Sequence, residues 1–179
     1  MPILAGYLFS FHDTLYDSAE LSECRLNLFQ VPVGMHNPAG EPKTFVETNM
    51  LLAGRLPSPN TFLIEHLHVA LFRRNEGFLS LTDPAWVDVS ISLHFALRVL
   101  LEGPAIHFAH PNIVLNALAT AGNLADVIKL YAQWEKHHAE ALNLKIEKEM
   151  AFGVDVQVRR PAEASILVIL EGTTTKTIL

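Results

Sequence analysis

Two histidines, His66 and His68, are the residues of this chain whose type and spacing best suit chemistry. They lie two positions apart in an alternating apolar segment from Phe62 to Phe72, and a β-strand would point both imidazoles to the same side. Two imidazoles on one face can share a metal ion. The pattern leaves a metal-binding barrel enzyme open, with a polar strand face that binds nothing as the ordinary alternative.

The other histidines and the single cysteine give less reason to expect a reaction centre. His107 and His110 stand among turn residues, which favours solvent or interface contacts, and His137 and His138 would project about 100° apart on a helix. Cys24 has no nucleophile signature around it. The sequence contains no glycine-rich phosphate loop, no G-x-S-x-G elbow and no H-E-x-x-H motif. We expect no catalytic residue, no cofactor and no bound metal.

The composition predicts one domain with a substantial core. Half of the 179 residues are hydrophobic, enough for a fold that needs no disulfide or metal. A net charge of −6 gives no field that would attract a phosphate backbone, so we expect no direct contact with nucleic acid. Neither a signal peptide nor an apolar run of about 20 residues is expected from the pattern. The mean hydropathy of +0.24 suggests apolar surface buried against partners.

Apolar patterns with a period of two predict strands through most of the chain. The prolines of Leu56-Pro57-Ser58-Pro59 predict an ordered turn before the central strand, and residues 1–24 suggest an extended N-terminal arm or a short strand. Helical spacing and a capping Asn123 predict one α-helix over about 123–142. Many short strands with one inserted helix favour an all-β sandwich or barrel. The predicted strands cover residues 25–33, 62–72, 87–99, 154–158, 165–171 and 174–179.

Several segments resemble capsid proteins of tailless, icosahedral, membrane-containing bacteriophages of the sphaerolipovirus type. The resemblance covers most of the chain and is most specific between Asn49 and Phe62. Its segments are Leu28-Phe29-Gln30-Val31-Pro32-Val33-Gly34, Lys43-Thr44, Glu47-Thr48-Asn49-Met50, Leu56-Pro57-Ser58-Pro59, Leu101 to Phe108 and Arg160 to Val168. It implies that residues 1–179 form a single jelly roll, with the helix at about 123–142 inserted in a barrel loop.

The same resemblance implies a structural role in the virion. Subunits would associate with one another and with a second capsid protein into an icosahedral shell over an internal membrane, assembled in the host cytoplasm. The inserted helix would form a projection or an inter-subunit clamp. Large aromatic side chains and the turn before the central strand are the contact candidates. They are Phe9, Phe11, Tyr16, Thr48, Asn49, Met50, Leu56, Pro57, Tyr131 and Trp134.

Two alternatives remain. His66 and His68 resemble the histidine pair of cupins, which would make the chain a metal-binding barrel enzyme such as an isomerase or dioxygenase. The sequence departs from that pattern, because Phe72 and Arg73 stand where a cupin has its glutamate and Asn60 where it has a glycine. A carbohydrate-binding sandwich is the other alternative, supported by the two tryptophans alone, Trp86 and Trp134.

Overall fold

The protein is described by a computed structural model over residues 7–37, 40–96, 98–114 and 142–178. These residues form two antiparallel sheets, which confirms the all-β class. Two short 3₁₀ helices, Pro84–Asp88 and Ala105–Phe108, connect strands, and residues 111–114 are helical. The strands are β1 (Tyr7–Glu20), β2 (Arg25–Leu28), β3 (Thr61–Arg73), β4 (Gly77–Phe78), β5 (Val89–Phe95), β6 (Arg98–Pro104), β7 (Leu144–Ile146), β8 (Phe152–Val158) and β9 (Ser165–Ile178).

The first sheet has the strand order β1-β9-β3-β4, and the second has the order β2-β8-β5-β6. β4 pairs with Phe72 and Arg73 of β3, whereas β7 pairs with Phe62 to Ile64. Since β9 occupies the other side of β3, β4 and β7 share one edge of that strand. β3 and β9 are therefore the interior strands of the first sheet.

Two predictions about the chain's outer segments need correction. Residues 7–20 are not a free arm, because all fourteen pair with β9 from Tyr7–Ile178 to Glu20–Ser165. The two strands predicted over 165–171 and 174–179 are one continuous strand, β9. Gly172 does not interrupt it, because its missing side chain leaves room for the backbone of β3.

A β-bulge in β3 changes which residues face the core. The register with β9 shifts between Ile64 and His66, so one residue, Glu65, is added on the β3 side. Strict alternation would place Phe62 and Ile64 on the face opposite Leu67, as the sequence pattern suggested. The bulge instead puts all of these apolar side chains into the core. The large buried core residues of β3 are Phe62, Ile64, Leu67, Val69 and Leu71.

One apolar cluster contains the inward side chains of both sheets. Phe29 and Phe152 pack at 5.6 Å between ring centroids, and Trp86 is fully buried. Each large apolar side chain that is fully buried contributes about 1.5–3 kcal/mol of transfer free energy. The inward residues of the remaining strands alternate as expected and include Val89, Ile91, Leu93, Val154, Val156, Ile166, Val168 and Leu170.

The strand predicted over 87–99 is a hairpin of two strands. β5 ends at Phe95, which pairs with Arg98, and Ala96 in the turn has a φ of 52°. A left-handed alanine in a tight turn has no signature in the alternating pattern, so the reversal was missed. The strand predicted over 25–33 similarly ends at Leu28, where Phe29 adopts a φ of 67°. The helix predicted over about 123–142 lies outside the described residues, except for Leu142.

Candidate functional site

The predicted histidine pair lies in a larger cluster on the outer face of the first sheet, the face opposite the core. The rings of His66 and His68 stack at 5.9 Å, and the ring of His110 meets that of His68 edge-on at 5.2 Å. His68 Nε2 is 3.1 Å from Glu171 Oε2, and His12 Nε2 is 3.4 Å from Glu171 Oε1. Three strands supply this cluster together with His110, which follows the second 3₁₀ helix, because β9 carries Glu171 between β1 and β3.

Burial controls the charge of this cluster. It lowers the pKa of His68, and the hydrogen bond that His68 donates to the Glu171 carboxylate opposes that shift only in part. It also lowers the pKa of His110. Both imidazoles are therefore mainly neutral at neutral pH. Among the described residues, no three histidine, cysteine or acidic side chains are arranged to hold a metal ion.

The geometry does not favour a cupin-like centre. The prediction that His66 and His68 point the same way is confirmed, but they point away from the space between the sheets. That space is filled by large side chains such as Phe62, Leu67 and Trp86. An enzyme of this type would need its metal inside the barrel or at its mouth. The tryptophan expected to stack on a sugar, Trp86, is fully buried, and Trp134 lies outside the described residues.

A buried ion pair fixes the segment that precedes β3 against β1. Asp17 on the core side of β1 is fully buried and accepts from Lys43 Nζ at 2.5 Å and from the N–H of Phe29. Lys43 also donates to the carbonyl of Ser18 at 2.8 Å. Burial raises the pKa of Asp17, and the ammonium of Lys43 acts against that shift.

Asn49 covers part of the outer edge of β1 with its side chain. Its Oδ1 accepts from the N–H of Tyr16 at 2.9 Å, and its Nδ2 donates to the carbonyl of Thr14 at 2.6 Å. The amide thus takes the place of a neighbouring strand over two residues. Asp17 and Thr48 form an isolated bridge beside it. Thr48 and Asn49 are therefore held against β1 of the same molecule.

Three of the predicted subunit contacts are buried inside the chain and need correction. Thr48, Met50 and Leu56 are 0%, 2% and 5% exposed, so they offer almost no surface to a neighbouring subunit. Met50 and Leu56 pack in the core of one molecule, and the Thr48 hydroxyl donates to the carbonyl of Tyr16. Sequence alone did not separate the two uses, because core and interface select the same residue types.

The other predicted contacts differ in their exposure. Phe9 is 55% exposed, and its ring is 5.7 Å from that of Phe11. Tyr16 is half-buried and donates its hydroxyl to the carbonyl of Phe45. Asn49 and Pro57 are also half-buried. Tyr131 and Trp134 lie outside the described residues.

Large apolar side chains remain exposed over several separate parts of the described surface. They occur at the start of β1, in the segment between β2 and β3, and on the edge strand β6. Exposed apolar side chains of this size are candidates for contacts with other molecules where they lie close together. The exposed set is Leu8, Phe9, Met35, Phe45, Val46, Leu51, Leu52, Phe78, Val87, Val99 and Leu100.

Sequence reasoning missed the partners that complete these sites. Glu171 and His12 were not connected to the histidine pair, because strand pairing brings them there from distant positions. Asp17 and Lys43 were likewise not recognised as partners. The alternation of Ser10, His12 and Thr14 with Phe9, Phe11 and Leu15 is a local signal that could have placed His12 on a polar face.

Comparisons with protein-family models, with curated proteins and with solved structures found no match. A search of the described residues for a helix long and apolar enough to cross a membrane also found none.

Proposed function

We propose that this protein is a structural subunit of an icosahedral virion shell, built as a single jelly roll. In this role it associates with copies of itself and with a second capsid protein over an internal membrane. The observation that carries the proposal is the order in which the strands pair. No catalytic step is part of this role.

The strand order supports a jelly roll in the following way. If the two-residue strand β4 is set aside, eight strands remain. The first four pair with the last four in reverse order, as β1–β9, β2–β8, β3–β7 and β5–β6. One long hairpin wrapped around a core gives this pairing and distributes the strands over two sheets. Among the folds built this way, viral capsid domains agree with the sequence resemblance.

The surface supports association. Exposed apolar residues such as Val46, at 88% exposed, and Leu8, at 74%, cost solvation free energy in a free monomer, and contact with neighbours would remove that cost. Interfaces of about 800 Å² per partner are sufficient for specific contacts. Repetition over a closed lattice multiplies contacts that are weak individually.

The alternative, a cupin-like barrel enzyme, has less support. A jelly roll can host such a centre, but His66 and His68 face away from the core and lie beside Glu171 on the outer face. The core side of β3 carries apolar side chains instead. A cupin-like enzyme would therefore need a metal site other than His66 and His68.

The test is assembly of the purified protein. We expect light scattering and negative-stain imaging to show closed particles or regular sheets of uniform subunit spacing as concentration is raised from about 1 µM to about 1 mM, which spans weak protein contacts. Co-expression with the adjacent structural genes of its source genome supplies the second capsid protein. A chain that stays monomeric across this range, alone and co-expressed, contradicts the proposal.

A further inference from the structure

The first half of β1 has an outer edge to which the described residues supply no partner. The N–H of Tyr16 and the carbonyl of Thr14 both point away from β9, towards Asn49. In an antiparallel strand, alternate residues direct both backbone groups to the same side. Leu8, Ser10 and His12 therefore also present an N–H and a carbonyl on that outer edge.

The two halves of this edge differ in whether side chains bond their outward backbone groups. Around Thr14 to Ser18, the protein's own side chains occupy the outward groups. Asp13 and Asp17 accept from the N–H of the residue that follows each, Asn49 bridges two residues, and Lys43 binds the carbonyl of Ser18. Over residues 7–12, no backbone partner on the outer side is found among the described residues.

The open half also lacks the features that usually prevent strand addition. Its sequence, Tyr7-Leu8-Phe9-Ser10-Phe11-His12, contains no proline, glycine, lysine or acidic residue. Its register with β9 continues without a bulge. An unpaired strand edge of this length, with no bulge, proline or lysine, is a template for another strand.

We propose that the open edge of β1 pairs with the same edge of a second copy of this chain, antiparallel and around a two-fold axis at Ser10. The two first sheets then join into one continuous sheet. The role of this edge contact between shell subunits rests on the proposed function. The pairing of two copies itself rests only on the geometry of β1.

The sequence around Ser10 suits this symmetric pairing. Ser10 lies opposite Ser10 of the second copy, and Leu8 lies opposite His12, which gives about six backbone hydrogen bonds from the outward groups. Phe9 then lies opposite Phe11 in the closer, non-hydrogen-bonded pairs. The two phenyl rings of each copy, already 5.7 Å apart, would combine into a cluster of four.

Charge is compatible with the same register. Asp13 lies opposite Tyr7 of the second copy, so no carboxylate meets another carboxylate across the axis. The Asp13 carboxylate is already bound by Thr174 Oγ1 at 2.7 Å. Lys176 lies over the Phe11 ring, with Nζ 5.1 Å from the centroid, and adds a favourable cation–π contact at the rim of the cluster. A second copy is therefore a better fit to this edge than a charged peptide.

A proline at position 10 tests the pairing. The N–H of Ser10 points away from β9, so Ser10→Pro removes an outward donor without removing a bond of the β1–β9 ladder. Ser10→Ala is the matched control, because both variants lose the 2.9 Å contact of Ser10 Oγ with Thr175 Oγ1 but alanine keeps its N–H. Sedimentation velocity over a concentration series measures the dimer. We expect wild type and Ser10→Ala to dimerise equally, and Ser10→Pro to dimerise at least about tenfold more weakly.

Cross-linking tests the register and does not depend on the stability of the proline variant. In a Cys24→Ser background, which removes the exposed native thiol, Ser10→Cys brings two thiols together at the axis, about 5.5 Å apart at Cα. Leu8→Cys lies about 14 Å from its counterpart, too far for a disulfide. We expect a covalent dimer from Ser10→Cys and none from Leu8→Cys.

The outcomes separate this proposal from the capsid role. Equal dimerisation of the proline and alanine variants, a wild type without dimers, or equal cross-linking at positions 8 and 10 overturns the β1 contact. Shells that form normally in Ser10→Pro leave the capsid role standing and remove the edge contact from it. Dimers that respond to Ser10→Pro, in a protein that forms no shell under any condition, support the edge contact and contradict the capsid role.

Discussion

Gly172 allows β9 and β3 to approach closely at the bulge, and replacing it with alanine should destabilise the whole first sheet. A methyl group at this position would lie 1.9 Å from the carbonyl oxygen of Leu63 and 2.9 Å from its carbonyl carbon. A normal carbon–oxygen contact is about 3.3 Å, so β3 must move by about 1.4 Å. The obstacle is backbone, and no side-chain rotation can relieve it.

The expected cost follows from that displacement. Overpacking of a well-packed site typically costs 1–3 kcal/mol, and a rigid backbone obstacle places Gly172→Ala at the upper end, about 3 kcal/mol. For a chain of this length, each kcal/mol lowers the melting temperature by about 2–4 °C. We therefore expect Gly172→Ala to melt about 6–12 °C below wild type in a thermal scan followed by circular dichroism.

Gly103→Ala is the matched control. A methyl group there would meet the ring of Phe108 at 3.3 Å, a distance that a small ring shift relieves. The lower chain entropy of unfolded alanine offsets what remains, so we expect a change of less than about 2 °C. If Gly172→Ala melts within about 2 °C of Gly103→Ala, β9 and β3 do not approach as closely at the bulge as described.

Three further predictions concern the buried polar contacts and the histidine cluster. Lys43→Met should cost about 3–5 kcal/mol, because it leaves the buried Asp17 carboxylate without its ammonium, and adding Asp17→Asn should recover part of that loss in urea unfolding. Asn49→Ala should cost about 1–2 kcal/mol, since two backbone groups of β1 lose their partners; an unchanged urea midpoint would contradict this. Because burial lowers the pKa of His68 from 6.5, the unfolded chain binds that proton more readily. The unfolding free energy should then fall as the pH drops through the region below about 6.5, and His68→Gln should reduce that slope while His110 retains a share of it.

The sequence predicted strands where apolar alternation persists over several residues, and failed where a single residue changes the geometry. β3 and β8 were found because apolar residues recur at every second position. The bulge at Glu65 was not, since one added residue shifts the phase without leaving a sequence signature, and Ala96 concealed a hairpin for the same reason. The histidine pair was visible because its members are two positions apart. Glu171, over one hundred positions away, joins them through strand register alone, which a local pattern does not contain.

The long pairing of β1 with β9 also has a kinetic consequence. About 145 residues separate Glu20 at the end of β1 from Ser165 at the start of β9. At about 5–20 residues per second, a ribosome needs roughly 7–30 s to cross that distance. During this time β9 has not yet been made, so both edges of β1 are unpaired. Nascent chains on the same messenger are close neighbours. Contacts so distant in sequence also form slowly after synthesis. Whether copies of this protein pair correctly therefore depends on the order in which the strands are made as well as on the strength of the finished contacts.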